Sequence, residues 1–270
     1  MAAGSVQEAA VVLRKAKRVF ALTGAGVSAE SGVPTFRGDG GLWRQYRAEE
    51  LATPEAFKHD PQLVWEWYAW RQGVVGGCSP NAGHDALARM QDMFGQFFLV
   101  TQNVDGLHQR AGSRDVVEMH GNIWKARCAS ENTAGCGAAL RAHPELDNVS
   151  AGSDDPEGCG WLTVVDFLAD EAPLPPPCSC GGILRPHIVW FGEALDSAVL
   201  NRAFQEAKRA DVLLSIGTSA QVTPAALLPQ IAAQTGAVVI EINPQATPNS
   251  SISNYALRGP SAEILPRLIS

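Results

Sequence analysis

The stretch at residues 18–37, RVFALTGAGVSAESGVPTFR, constrains this chain more than any other. Val19, Phe20, Ala21 and Leu22 form an apolar run of strand length with β-branched and aromatic members. Thr23, Gly24 and Gly26 follow at once, among the small residues Ala25, Ser28 and Ala29. A strand that ends in glycines lets backbone N–H groups approach a pyrophosphate closely, at the positive end of a following helix. Residues 24–29 fit G-x-G-x-x-G/A with Ala29 in the last place; the same pattern also serves as a tight strand-to-helix turn that holds nothing. A dehydrogenase would add an acidic residue about 20 residues on, at the end of a second strand. Here that distance lands in GLWRQYRAEEL, residues 41–51, which does not read as a strand.

The chain has 270 residues, enough for one large or two small domains, and its 46% hydrophobic content supports a sizeable core. Net charge is −7, so no basic footprint for nucleic acid or membrane is present. No apolar run approaches the roughly 20 residues of a membrane span. Residues 5–17 read as a first helix, not as the core of a signal peptide. Six cysteines without a secretory signal argue for thiols or metal over disulfides, hence a reducing compartment such as cytoplasm or mitochondrion.

Helix patterns are expected at residues 42–51, 61–72, 80–93, 196–210, 223–234 (with Pro224 just inside its start) and 259–268, and strand patterns at 97–101, 116–119, 212–216 and 237–242. Alternating helices and continuously apolar strands predict an α/β fold: a Rossmann-like parallel sheet with helices on both faces. Ligands in such sheets sit beyond the carboxyl ends of the strands. Residues 24–28, 102–105, 217–219 and 243–245 all follow strands at that end. Residues 122–186 break the alternation, holding five of the six cysteines and Pro- and Gly-rich stretches. They read as a second, smaller module inserted into the first.

Four blocks carry a resemblance over nearly the whole chain: GAGVSAESGVPTFRG at 24–38, TQNVD at 101–105, EMHG at 118–121 and GTS at 217–219. Together they resemble the sirtuins, the NAD-dependent protein lysine deacylases. The resemblance implies NAD as cofactor and acylated lysines of proteins or peptides as substrate, and a smaller inserted helical and zinc-binding domain at 39–79 and 122–186 beside a nucleotide-binding domain at 1–38, 80–121 and 187–270; a monomer is expected. It implies that Gly24, Ala25, Gly26 and Ser28 line the cofactor, with Phe36 and Arg37 in a loop that closes over it. Gln102, Asn103 and Asp105 would hold ribose and carboxamide, and Gly217, Thr218, Ser219 and Asn243 the adenosine half, with Ser261 near the adenine. Read locally, Asn103 and Asp105 also suit a turn and Ser219 a helix cap.

His120 alone would read as a core or cap histidine. In Glu-Met-His-Gly it matches the sirtuin catalytic base, and a near-neutral pKa suits that work. In the reaction so implied, the acyl oxygen of the lysine attacks the anomeric carbon of the nicotinamide ribose and nicotinamide leaves. His120 then deprotonates a ribose hydroxyl, which captures the acyl carbon, and after addition of water the products are free lysine and O-acyl-ADP-ribose. The resemblance also assigns Val189, Phe191, Gly192 and Glu193 to pairing with the substrate backbone by strand addition.

Relatives of this kind hold a structural zinc on two cysteine pairs. Cys128 and Cys180 match anchor positions, with Cys136 and Cys178 as displaced partners and Cys159 as a possible replacement for one of them. Spacings of seven residues and of one depart from the usual two to four.

Tyr68 and Arg71 stand three apart on a predicted helix and so share a face. Arginine suits a carboxylate, which it holds bidentately, and the tyrosine hydroxyl adds a donor. Tyr-x-x-Arg matches the class III sirtuins, and Ala48 matches the small residue that leaves their acyl pocket roomy. The expected activity is therefore lysine desuccinylation, demalonylation or deglutarylation. A general deacetylase, an NAD-dependent oxidoreductase and a silent ADP-ribose-binding module stand as alternatives.

Overall fold

The computed structural model describes residues 4–34, 46–129, 163–164, 173–178 and 181–270. In chain order the elements are α1 (Val6–Lys15), β1 (Arg18–Thr23), α2 (Gly26–Ala29), α3 (Ala48–Leu51), α4 (Pro54–His59), α5 (Pro61–Gly76), α6 (Ala82–Met93), β2 (Gln96–Thr101), α7 (Leu107–Arg110) and β3 (Val116–Glu118). Then come β4 (Gly121–Cys128), β5 (Thr163–Val164), β6 (Leu184–Ile188), α8 (Ser197–Arg209), β7 (Val212–Ile216), α9 (Leu228–Gln234), β8 (Val238–Ile242), β9 (Tyr255–Leu257) and α10 (Ser261–Leu268).

Six strands form a parallel sheet in the order β3-β2-β1-β7-β8-β9. The expected α/β architecture is therefore the observed one. Strand β1 explains the sandwich, because successive side chains point to opposite faces. Val19 and Ala21 enter one core with α1, α6 and α10, while Phe20 and Leu22 enter the other with α8 and α9. A strand buried on both faces has no polar side to show, which is why it reads as an unbroken apolar run.

Local chemistry sets the helix ends. Ser5 and Glu8 close a capping box on α1, Asp60 caps α5 ahead of Pro61, and Asp196 caps α8. The helix expected at 223–234 begins later: a 3-10 turn at Ala225–Leu227 precedes α9. Pro229 lacks an N–H, so it is accommodated in a first helical turn and not in an interior.

A second sheet, antiparallel in the order β5-β4-β6, carries the third core with α3–α5. Trp65, Trp67 and Tyr68 are fully buried there against Ile123, Ala126 and Leu184. Ile188 and Trp190, placed by the sequence in the other domain, also pack into this core. Trp65 Nε1 donates to the Leu184 carbonyl at 2.8 Å and Gln72 Nε2 to that of Ile123 at 2.5 Å, stitching α5 onto the small sheet. Among the described residues no helix is long and apolar enough to cross a membrane.

Candidate active site

The motifs meet at the carboxyl ends of β1, β2, β3, β7 and β8. The loops after β1 and β7 touch backbone to backbone. A Cβ on Gly26 would lie 2.6 Å from Gly217 Cα, one on Gly24 2.9 Å from Gly217 O, and one on Gly217 2.5 Å from Val27 N. Gly217 also has a φ of +57°, in the left-handed region. The expected helix with its positive end toward a pyrophosphate is a single turn, α2. The N–H groups of Gly24, Gly26, Val27 and Ser28 already have backbone acceptors in Ile216, Gly217, Gly24 and Ala25. The glycines thus act by letting two loops approach, more than by presenting a helix terminus.

One hydrogen-bond network ties these loops to the segment after β2. Ser28 Oγ donates to Asp105 Oδ2 at 2.8 Å and accepts from Asn103 Nδ2 at 3.0 Å. Asp105 also accepts from Leu107 N at 2.9 Å, and burial raises its pKa against those bonds and the fields of Arg110 and Arg71. Gln102 Nε2 reaches across to Thr218 Oγ1 at 3.0 Å, and Asn243 Nδ2 donates to the Thr218 carbonyl at 2.8 Å. Beneath the network lie two buried histidines that the sequence reading did not place in the site. His84 Nε2 is 3.4 Å from Ser28 Oγ, and His108 Nε2 is 2.9 Å from Thr23 Oγ1. Their rings stand 4.9 Å apart, and burial lowers both pKa values, that of His84 to about 4. The capping box Asn81 makes with His84 at the start of α6 was the legible signal for the first of them.

His120 is half-buried just past β3. Its Nδ1 lies 3.1 Å from the Gln102 carbonyl oxygen. A carbonyl only accepts, so Nδ1 carries the hydrogen and Nε2 is the basic nitrogen of the neutral ring. Gly121 follows with φ +86°; a Cβ there would fall 2.0 Å from the His187 carbonyl oxygen, where β6 passes.

Of the two residues expected to read the acyl group, Arg71 lies near enough to Asp105 for its charge to be felt there. Tyr68 is 1% exposed, and its hydroxyl accepts from Trp190 Nε1 at 2.9 Å. The Val189 N–H, one residue earlier, donates to the His120 carbonyl at 3.0 Å, so α5 connects through Trp190 and Val189 to the backbone of His120. Burial raises the Tyr68 pKa to about 12, which keeps the phenol a hydrogen-bond donor. Arg71 is half-buried, with its guanidinium 4.8 Å from the Trp67 ring centroid and 5.5 Å from that of Tyr68. Burial lowers its pKa, and the Asp105 carboxylate opposes that shift. Ala48, half-buried, packs against the same core.

In the segment expected to bind substrate backbone, three donors already have partners. The N–H groups of Val189, Phe191 and Glu193 go to the carbonyls of His120, Ala52 and Trp190. Glu193 turns its carboxylate inward onto Arg185, at 2.5 and 2.9 Å, and onto Trp190 N at 2.9 Å. Those bonds and the neighbouring Arg127 hold its pKa low against burial. Phe191 is 55% exposed.

One observation fits this chain to NAD, an orphaned polar atom at Ser261. The Ser261 Oγ is buried and has no hydrogen-bond partner among the described residues, at the start of α10, where Ala262 N bonds Glu30. Phe36, Arg37, Cys136, Cys159 and Cys180 lie outside the described residues. Cys128 and Cys178 close one end of the small sheet, since Ala129 N bonds the Ile183 carbonyl at 2.9 Å and Pro177 bridges Ile183.

The model of the Sir2 family matches residues 24–224. The chain belongs to the Sir2 family. It is 46% identical over 263 residues to an NAD-dependent protein deacylase of Pyrococcus furiosus, covering 97% of this chain and 96% of that one. Over 237 residues it is 46% identical to the NAD-dependent protein deacylase of Aquifex aeolicus, covering 87% of each. A crystal structure of a Sir2 homolog–NAD complex superposes with a TM-score of 0.83 at 44% identity, covering 99% of this chain and 93% of that one. A Sir2 enzyme bound to a myristoylated histone peptide superposes with a TM-score of 0.71 at 31% identity, covering 98% and 94%. Family membership sets aside the dehydrogenase reading of the glycine motif.

Proposed function

We propose that this Sir2-family NAD-dependent protein deacylase prefers lysines carrying acidic acyl groups: succinyl, malonyl or glutaryl. Membership of the family leaves the acyl group open; the pairing of Tyr68 with Arg71 carries the preference. A half-buried guanidinium lying on aromatic faces is partly desolvated, so a carboxylate arriving there gains a strong partner at reduced further cost. An acetyl group offers no such charge.

NAD, when bound, supplies the electrophilic ribose carbon to which the acyl oxygen adds as nicotinamide departs. The chain's residues do the rest. His120 Nε2 takes the proton from a ribose hydroxyl while Nδ1–H stays on the Gln102 carbonyl, which fixes the ring's orientation. Asn103, Asp105 and Ser28, locked to one another, present fixed polar groups to ribose and carboxamide, and Gly217, Thr218, Ser219, Asn243 and Ser261 hold the adenosine half. The peptide adds as a strand beside residues 189–193; with three N–H groups there already engaged, it pairs through their carbonyls and Gly192. A structural zinc on Cys128, Cys136, Cys178 and Cys180 fits the donor chemistry, because four thiolates leave no open position for substrate. The enzyme acts as a monomer on this reading.

The test is one peptide carrying acetyl, succinyl, malonyl, glutaryl or myristoyl lysine, incubated with NAD, with products followed by mass spectrometry. Faster turnover of the acidic groups than of acetyl is expected. Equal or faster deacetylation or demyristoylation would overturn the preference and leave the general deacylase.

A further inference from the structure

Strand β8 carries a carboxylate where the sheet calls for an apolar residue. Glu241 is 1% exposed, between the fully buried Ile240 and Ile242 and in register with Ser215 and Ala256 on the flanking strands. A buried charge is costly unless paired and hydrogen-bonded. Here the partners all come from the chain that leaves β8 and returns through β9. Ser250 Oγ donates to Glu241 Oε2 at 2.6 Å, Thr247 Oγ1 donates to Oε1, and Arg258 Nη2 lies 2.7 Å from Oε2.

Arg258 does more than neutralise the carboxylate. Its Nη1 donates to the backbone carbonyls of Gln245 at 3.0 Å and Asn243 at 3.4 Å, and its Nη2 to Ser250 Oγ at 2.9 Å. One guanidinium therefore joins the start of the loop over residues 243–251, at Asn243 and Gln245, to its end at Ser250. Its rigid fork of donors suits that task. Three of the loop's other bonds are local: Gln245 N to Asn243 Oδ1 at 3.3 Å, Asn249 N to Thr247 Oγ1 at 3.1 Å and Thr247 N to Ser250 Oγ at 2.8 Å; two reach further, Asn249 Nδ2 to the Ala226 carbonyl at 3.1 Å and Asn243 N to the Leu257 carbonyl at 3.2 Å. Asn243 then projects from the held loop to the Thr218 carbonyl.

We infer that Arg258, anchored on buried Glu241, is a positioning residue for the dinucleotide: it sets the loop that places Asn243 against residues 217–219 and so governs affinity for the adenosine half of NAD. The inference rests on the proposed role of Asn243 in holding that half. It assigns no contact with the reacting atoms to Arg258.

The experiment uses the full chain and compares wild type with Arg258→Met, Arg258→Lys, Ser250→Ala and Asn243→Ala. KM for NAD, KM for acyl-peptide, kcat, its pH profile and inhibition by free nicotinamide are measured, with ADP-ribose binding by calorimetry. Arg258→Met should raise KM for NAD and weaken ADP-ribose about tenfold, the size of one lost charge-assisted bond. Peptide KM, kcat, pH profile and nicotinamide inhibition should stay within about twofold. Arg258→Lys should recover part of the affinity, and Ser250→Ala, which keeps the ion pair, should cost about two- to threefold and supplies the answer should Arg258→Met not fold. Unchanged KM for NAD in these variants, or parallel losses in every parameter, would overturn the positioning role. If Asn243→Ala alone leaves ADP-ribose binding intact, the assignment of Asn243 fails instead.

Discussion

Replacing Arg71 by Met tests the acyl preference most sharply, because the substitution keeps much of the side-chain volume and removes the charge. A carboxylate held by both arms of the guanidinium makes two charge-assisted bonds, each worth about 1.5–3 kcal/mol. Arg71 is half-buried, so solvent screening places the pair toward the lower end, about 3–4 kcal/mol. At about 1.4 kcal/mol per factor of ten, kcat/KM on a succinyl-lysine peptide should fall about 100- to 1000-fold. The same peptide carrying acetyl-lysine should change less than about threefold, since a methyl group exchanges nothing with the guanidinium. Loss of the contacts with the Trp67 and Tyr68 rings at 4.8 and 5.5 Å should itself cost about 1 kcal/mol, a few degrees of melting temperature. Arg71→Lys keeps the charge but not the fork and should fall between the two. The assay is initial-rate mass spectrometry at saturating NAD with both peptides. Equal losses on the two substrates, or a succinyl loss below about tenfold, would refute the reasoning and remove Arg71 from acyl recognition.

Gly217→Ala forces a Cβ to 2.5 Å from Val27 N at a φ of +57°; calorimetry should show ADP-ribose binding weakened more than tenfold, and melting a loss of about 1–3 kcal/mol. Buried histidines make stability pH-dependent in a defined direction. With His84 at about 4 and His187 at about 3 in the folded chain against about 6.5 unfolded, the unfolded state binds more protons between those limits. Stability should therefore be full above pH 6.5 and decline as pH falls toward 4, with His84 alone accounting for about 3 kcal/mol, and a melting temperature flat across that window would contradict it. Cys128→Ser should lower zinc measured by plasma mass spectrometry from about one ion per chain to near none and lower the melting temperature; an unchanged, metal-free wild type would remove the zinc proposal.

The large sheet was legible because its strands are buried on both faces and announce themselves as apolar runs between helices. The glycines at 24 and 26, and His120, were legible because their motifs are contiguous. The small sheet was not. Strand β4, GNIWKARC, and β6, LRPHI, mix charge with apolar residues, since Lys125 pairs with Glu118 at 3.0 Å and Arg185 with Glu193 at 2.5 Å only after folding. Nor did spacing reveal that Glu193 faces inward, or that His84 and His108 meet beneath the cofactor loops, because their partners lie far away in the chain.

Taken by itself, the amino-acid order determined the layered α/β plan, the glycine loop and the helix face shared by Tyr68 and Arg71. Those features depend on periodicity and on backbone conformations set within a few residues. Tertiary structure alone decided what each polar group touches: Tyr68 on Trp190, Ser28 on Asp105, Gln102 on Thr218 and Arg258 on Glu241. Buried hydrogen bonds and ion pairs form between whichever groups the packed cores bring together, and no local pattern encodes that meeting.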